Sequence, residues 1–199
     1  MEINYLKEKI EIKKELNSLD RFAIDFISIL NRLNLKYVLV SGYVSILFGR
    51  SRSSEDIDIF IEKLDYQSFQ RLWKDLHKYF ECITTEDIKG AYGEYLSKNH
   101  ALRFSKQNKF IPNIEIKFPR IELDEWTLEN KKMVLLNKNI IFVSPIELQI
   151  PYKLFLGSEK DIEDAKHLYN LFKDKMNLRL FKEFNKKLNI EEVFNRHLL

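Results

Sequence analysis

The chain has 199 residues, 45% of them hydrophobic, with 15 Phe and 9 Tyr against 5 Gly and 4 Pro. That balance excludes disordered and low-complexity classes and supplies the core of one domain, or of a catalytic half with a helical appendage. A net charge of +3, from 33 basic and 30 acidic residues, excludes a strongly basic nucleic-acid binder but leaves room for a local basic groove. The single Cys82 excludes an internal disulfide, and with no secretory h-region and no apolar run of membrane-span length, a cytoplasmic protein away from the membrane is expected.

Residues 3 to 33 read as one interrupted or two successive amphipathic helices, broken at Asn17-Ser18, with Ser18 or Asp20 capping the second. Phe22, Ile24, Phe26, Ile27, Leu30 and Leu33 give that helix a broad apolar face for packing on a sheet. Tyr37 to Val40 follows as a buried strand, Ser41-Gly42 as a small-residue turn, and Val44 to Phe48 as a short apolar helix. A basic, hydroxyl-rich loop, Arg50 to Ser54, leads to a second strand, Asp56 to Ile61.

Asp65 to Tyr79 is expected to be a helix and Phe80 to Thr84 a short strand, while Glu86 to Asn99, with Gly90 and Gly93, reads as an irregular loop or a broken helix. Ala101 to Phe104 and Ile111 to Phe118 are strand candidates joined by the polar turn Ser105 to Lys109. Leu123 to Lys131 reads as a short helix, and Met133 to Leu136 with Ile140 to Val143 as a hairpin around Asn137-Lys138-Asn139. From Ser144 onward the pattern is helical. The whole is an α+β chain, divided into a mixed-sheet unit with N-terminal helices over residues 1–143 and a C-terminal helical part over 144–199.

Chemistry concentrates on the second strand. Alternation sends Ile57, Ile59 and Ile61 one way and Asp56 and Asp58 the other. Two carboxylates on one strand face repel and favour a compensating cation, and oxygen ligands of this kind suit Mg²⁺. The same alternation in Asn113 to Phe118 puts Glu115 and Lys117 opposite Ile114, Ile116 and Phe118. Arg50 and Arg52 flank the loop before the acids, where the planar guanidinium fork of either can reach phosphate.

Ser41-Gly42-Tyr43 followed by Gly49 to Asp58 resembles the nucleotidyltransferase superfamily of DNA polymerase β type, and more narrowly its AbiEii-like and minimal bacterial and archaeal members. Their pattern is a glycine pair or Gly-Ser after a strand, then roughly ten residues, then Asp-x-Asp. Ser41 stands where the first glycine is expected. A second segment, Ser144 to Ala165, is similar to the C-terminal signature of AbiEii-like proteins, a lysine followed eight residues later by an aspartate, here Lys153 and Asp161.

The resemblance implies a polymerase-β-like mixed sheet flanked by helices. It implies a Mg²⁺-dependent nucleotidyltransferase, with two ions held by Asp56, Asp58 and the third carboxylate Glu115, and Glu115 as the base. The β and γ phosphates of a nucleoside triphosphate would lie at Ser41-Gly42, near Arg50 and Arg52. Lys153 would contact phosphate, and Asp161 would orient that lysine or assist the acceptor hydroxyl. Ser158-x-x-Asp161 also reads as a helix capping box. Relatives act on tRNA, proteins or small molecules, and some are toxins with a cognate antitoxin. A catalytically inactive descendant that binds nucleotide or a partner is the alternative.

Overall fold

The computed structural model describes residues 1–6 and 9–198. Nine strands among them form one mixed sheet: β1 (Glu2–Tyr5), β2 (Lys9–Lys13), β3 (Tyr37–Val40), β4 (Asp56–Ile61), β5 (Phe80–Cys82), β6 (Leu102–Lys106), β7 (Asn113–Lys117), β8 (Lys132–Leu136) and β9 (Asn139–Val143). Their order is β1-β2-β8-β9-β3-β4-β7-β6-β5, with β2–β8, β9–β3 and β4–β7 parallel and the other pairs antiparallel. The helices are α1 (Ser18–Arg32), α2 (Gly42–Leu47), α3 (Tyr66–Leu76), α4 (Ile88–Gly90), α5 (Glu122–Glu129), α6 (Ile146–Leu156), α7 (Glu159–Phe172), α8 (Leu178–Lys187) and α9 (Glu191–Leu198). The α+β class expected from the pattern is the one observed. No helix among the described residues is long and apolar enough to cross a membrane.

The N-terminal segment corrects the sequence reading. The helix expected from residue 3 is replaced by the β1–β2 hairpin, part of the expected span, residues 7 and 8, lying outside the described residues. Lys9-Ile-Glu-Ile-Lys13 has period two, not 3.6, and its β-branched Ile10 and Ile12 are fully buried where β2 lies beside β8. The break near residue 17 is real: Asn17, not Ser18 or Asp20, caps α1, its side chain accepting from the Asp20 amide while Asp20 accepts from the Asn17 amide.

One face of the sheet carries Leu39, Ile57, Ile59, Ile114, Ile116 and Phe104, all fully buried. α1 and α3 cover it, Phe26 meeting Phe80 and Phe104 ring to ring and Trp73 meeting Phe104. The stretch expected to be a loop or broken helix is the latter: α4 runs into a π turn (Ala91–Tyr95) and a 3-10 turn (Leu96–Lys98). The C-terminal helices join the same core, since Phe172 of α7 packs edge-on to Phe48 after α2 and against Tyr5 of β1. The opposite face, over β3, β4 and β7, is only partly covered, by α5 and α6. It holds the polar residues considered next.

Candidate active site

β4 alternates as expected. Its isoleucines are buried, while Asp56 is exposed and Asp58 half-buried on the open face. β7 runs parallel in register with β4, pairing Asp58 with Glu115 and Asp56 with Asn113, so Glu115 stands beside Asp58 on the same face. Each acid has a local partner. Lys117 Nζ lies 3.1 Å from Asp58 Oδ1, Arg103 donates to Glu115 Oε1 from Nε at 2.6 Å, and Ser54 Oγ donates to Asp56 Oδ1 at 3.2 Å. The structure therefore brings Asp58 and Glu115 side by side, with Asp56 one step along the strand. Among the described residues no three His, Cys, Asp or Glu side chains close around a common point that could hold a metal ion.

The donor set nevertheless fits a hard divalent cation. It is all carboxylate oxygen, and a magnesium ion needs only one or two carboxylates, the rest of its shell being water and phosphate. Lys117 and Arg103 supply at Asp58 and Glu115 the positive charge a bound ion would bring.

Ser41 follows Val40, which pairs with Asp58, so the turn opens beside the acids. Its backbone lies at φ 62°, ψ −137°, a region that glycine visits freely and that costs a side-chain-bearing residue about 1–3 kcal/mol. Serine has thus taken a glycine's conformation as well as its place. Its carbonyl accepts from Gln149 Nε2 of α6 at 2.8 Å, and Gln149 Oε1 accepts from Ser144 Oγ at 2.5 Å. At Gly42 a Cβ would stand 2.2 Å from Arg52 Nη2, so a side chain there would push the guanidinium aside.

Arg52 lies on Gly42 because α7 holds it there. Its Nε and Nη2 each donate at 3.0 Å to a different oxygen of Asp164. Arg50 Nε is 3.8 Å from the same carboxylate, and Lys153 Nζ is 3.0 Å from it and 2.6 Å from Asp161 Oδ1. Three cations thus converge on two carboxylates, with Asp164 wholly buried and Lys153 only 2% exposed. Asp161 meets both Lys153 and the start of α7. Ser158 caps α7 by accepting from the Asp161 amide, and the Asp161 carboxylate also receives Ser158 Oγ and Lys153. Burial disfavours the charged form of Asp161, but these bonds and the Lys153 charge outweigh it and hold the carboxyl below the usual range.

Asp164 is the residue that sequence reasoning missed. Its position three residues after Asp161 puts it on the same face of α7, toward Lys153.

A cavity of about 210 Å³ opens on the far side of Ser41, between α5, α6 and the sheet. Asp58 and Lys117 line it, with Arg120 and the half-exposed Tyr152 among its other walls.

No family model and no curated protein matches the chain. Solved structures do. The nucleotidyltransferase-like antigenic protein of Paracoccidioides brasiliensis aligns over 92% of this chain and 94% of its own at 15% identity, with a TM-score of 0.54. The antibiotic-resistance factor ANT(2'')-Ia aligns over 91% and 97% at 9% identity and a TM-score of 0.53. Its complex with adenylyl-2''-tobramycin aligns over 86% and 99% at 11% and 0.53. At these identities the likeness is one of fold. The chain has the nucleotidyltransferase fold.

Proposed function

We propose that the protein is a Mg²⁺-dependent nucleotidyltransferase. It would move a nucleoside monophosphate from a nucleoside triphosphate to an acceptor hydroxyl, with release of pyrophosphate. The observation that carries this reading is the placement, on either side of the Ser41-Gly42 turn of a nucleotidyltransferase fold, of an acid row (Asp56, Asp58, Glu115) and a cation cluster (Arg50, Arg52, Lys153).

Asp56 and Asp58 would hold Mg²⁺, with Glu115 joining them when Arg103 turns aside. When bound, the metal supplies positive charge to the triphosphate and eases deprotonation of the acceptor. Lys153, Arg52 and Arg50 would take the β and γ oxygens. Asp161 and Asp164 keep those cations in place beforehand, so little ordering remains for the substrate to impose. Glu115, beside Asp58, would receive the proton of the acceptor hydroxyl as the new bond to the α phosphorus forms and the bond to the pyrophosphate oxygen breaks.

The finer reading is an AbiEii-like, toxin-type cytoplasmic enzyme that acts on tRNA or protein and is paired with an antitoxin. It rests on the resemblance of residues 41–58 and 144–165 alone. A small-molecule acceptor is an equal candidate, since one fold neighbour is solved with an adenylylated aminoglycoside. One observation favours a second reading, nucleotide binding without turnover: Lys117 and Arg103 already occupy the Asp58 and Glu115 carboxylates that transfer would need for metal and base.

Calorimetry with Mg²⁺ and each nucleoside triphosphate, beside transfer of labelled nucleotide to total RNA, protein and aminoglycosides, separates the two. Transfer abolished by Asp58→Ala supports catalysis. Saturable binding with no transfer to any acceptor selects the second reading, and absence of binding defeats both.

A further inference from the structure

The helix that delivers Lys153 also reaches the strained turn, through a contact that the proposed chemistry does not use. Gln149 precedes Lys153 by one helical turn of α6, so both lie on the side of the helix toward the Ser41-Gly42 region. The Ser41 carbonyl can only accept, which fixes the Gln149 amide with its nitrogen toward the turn and its oxygen toward Ser144. Ser144 is in turn held by its own amide, which donates to Leu39 O of β3 at 2.9 Å. Gln149 and Ser144 are 4% and 2% exposed, bordering the cavity beside Asp58, so water has little access to these bonds. The Ser41 side chain makes no capping bond to α2, and Gln149 is the side chain that meets its carbonyl.

From this geometry we propose that Gln149 is a positioning residue, a clamp that holds Ser41 in the backbone conformation of a glycine and so keeps the turn, with Arg52 lying on Gly42, in register with Asp58. The proposal rests on the transferase site proposed above. It assigns Gln149 no contact with substrate. Its role follows from the residue at position 41: glycine would occupy this conformation unaided, whereas serine relaxes out of it once the amide is removed. The clamp therefore compensates for the serine, and its importance depends on that serine.

The test compares the wild-type chain, Gln149→Leu, Ser41→Gly and the double variant, by calorimetric titration with MgATP, MgCTP, MgGTP and MgUTP and by thermal unfolding. In the serine background Gln149→Leu is expected to weaken binding of the preferred triphosphate by about tenfold or more; in the glycine background the loss is expected to be less than about threefold. A merely structural bond would lower the unfolding midpoint equally in both backgrounds and would show no such rescue. Equal losses in the two backgrounds, or wild-type affinity in Gln149→Leu, overturn the proposal.

If the wild-type chain binds no triphosphate, the transferase reading fails separately, and the midpoints still decide the clamp: a drop at least halved by Ser41→Gly supports it, and an equal drop refutes it. Should Gln149→Leu not fold, Gln149→Glu, which keeps the shape but lacks the donor, takes its place in the same cycle.

Discussion

Replacing Asp164 with asparagine keeps the shape of the buried side chain and removes its charge. Arg52 then loses the carboxylate charge and one of its two acceptor oxygens, and Asp161, which meets Lys153, is the one carboxylate left to the cluster. Removing one partner of a buried ion pair costs about 3–5 kcal/mol. The Arg52 and Arg50 side chains are 11% and 29% exposed, so water recovers part of the loss and the expected figure is the lower one, about 3 kcal/mol. For a chain of this length each kcal/mol moves the midpoint by about 2–4 °C, so a fall of about 6–12 °C is expected.

Thermal unfolding followed by circular dichroism at neutral pH reads this directly, without any assumption about activity. Asp161→Asn is the internal control. It should cost clearly less, because Lys153 keeps Asp164 and the site is nearer solvent. Because the charges are buried, raising salt from about 0.1 to about 1 M should leave the difference between wild type and Asp164→Asn largely intact. A midpoint loss below about 2 °C, or one no larger than that of Asp161→Asn, would refute the view that Asp164 organises the cations.

Ser41→Gly should stabilise the fold. Relief of about 1–3 kcal/mol of backbone strain exceeds the added unfolded-state entropy of glycine, about 0.5–1 kcal/mol, and a higher urea midpoint at unchanged m-value checks it. Phe172→Ala should cost about 3–5 kcal/mol, because the ring is fully buried and bridges Phe48 and Tyr5; chemical denaturation measures it. On acidification, the contribution of the Asp161 carboxylate is present above its ordinary value of 3.8 and is lost as pH falls through its lowered folded value. The stability gap between wild type and Asp161→Asn should therefore shrink as pH falls below the ordinary carboxylate value; a gap that does not change on acidification contradicts the assignment.

Period-two alternation made the acid row readable without coordinates. Once Ile57, Ile59 and Ile114, Ile116 are assigned to the core, Asp58 and Glu115 must share the other face. Their direct pairing also requires β4 and β7 to be neighbours in parallel register, which a linear pattern does not reveal. The same period betrayed the N-terminus. Lys9 to Lys13 offers too few alternations to compete with a charged, helix-like background, and β8, which buries Ile10 and Ile12, lies more than a hundred residues downstream. Asp164 was hidden for a different reason. A carboxylate on a helix rich in Lys and Glu looks solvated until the helix is seen to turn it inward against Arg52 and Lys153. Ser41 could be recognised as standing in a glycine's place, but its positive φ and its bond to Gln149 are facts of three dimensions.

The seam between β9 and β3 has a consequence for how the chain is made. Five strands on one side of it, β3, β4, β7, β6 and β5, come from the continuous stretch 37–117, whereas the four on the other side draw on both residues 2–13 and residues 132–143. Across the seam the paired register is the single match Leu39 with Val143. As the ribosome releases the chain, the five-stranded half can zip up first, while the β1–β2 hairpin, marginal by itself, waits unpartnered for β8 to emerge. β1 and β2, which precede every other strand in the chain, are thus among the last to find their place, and until then they present a bare strand edge that a second nascent chain or a chaperone could occupy.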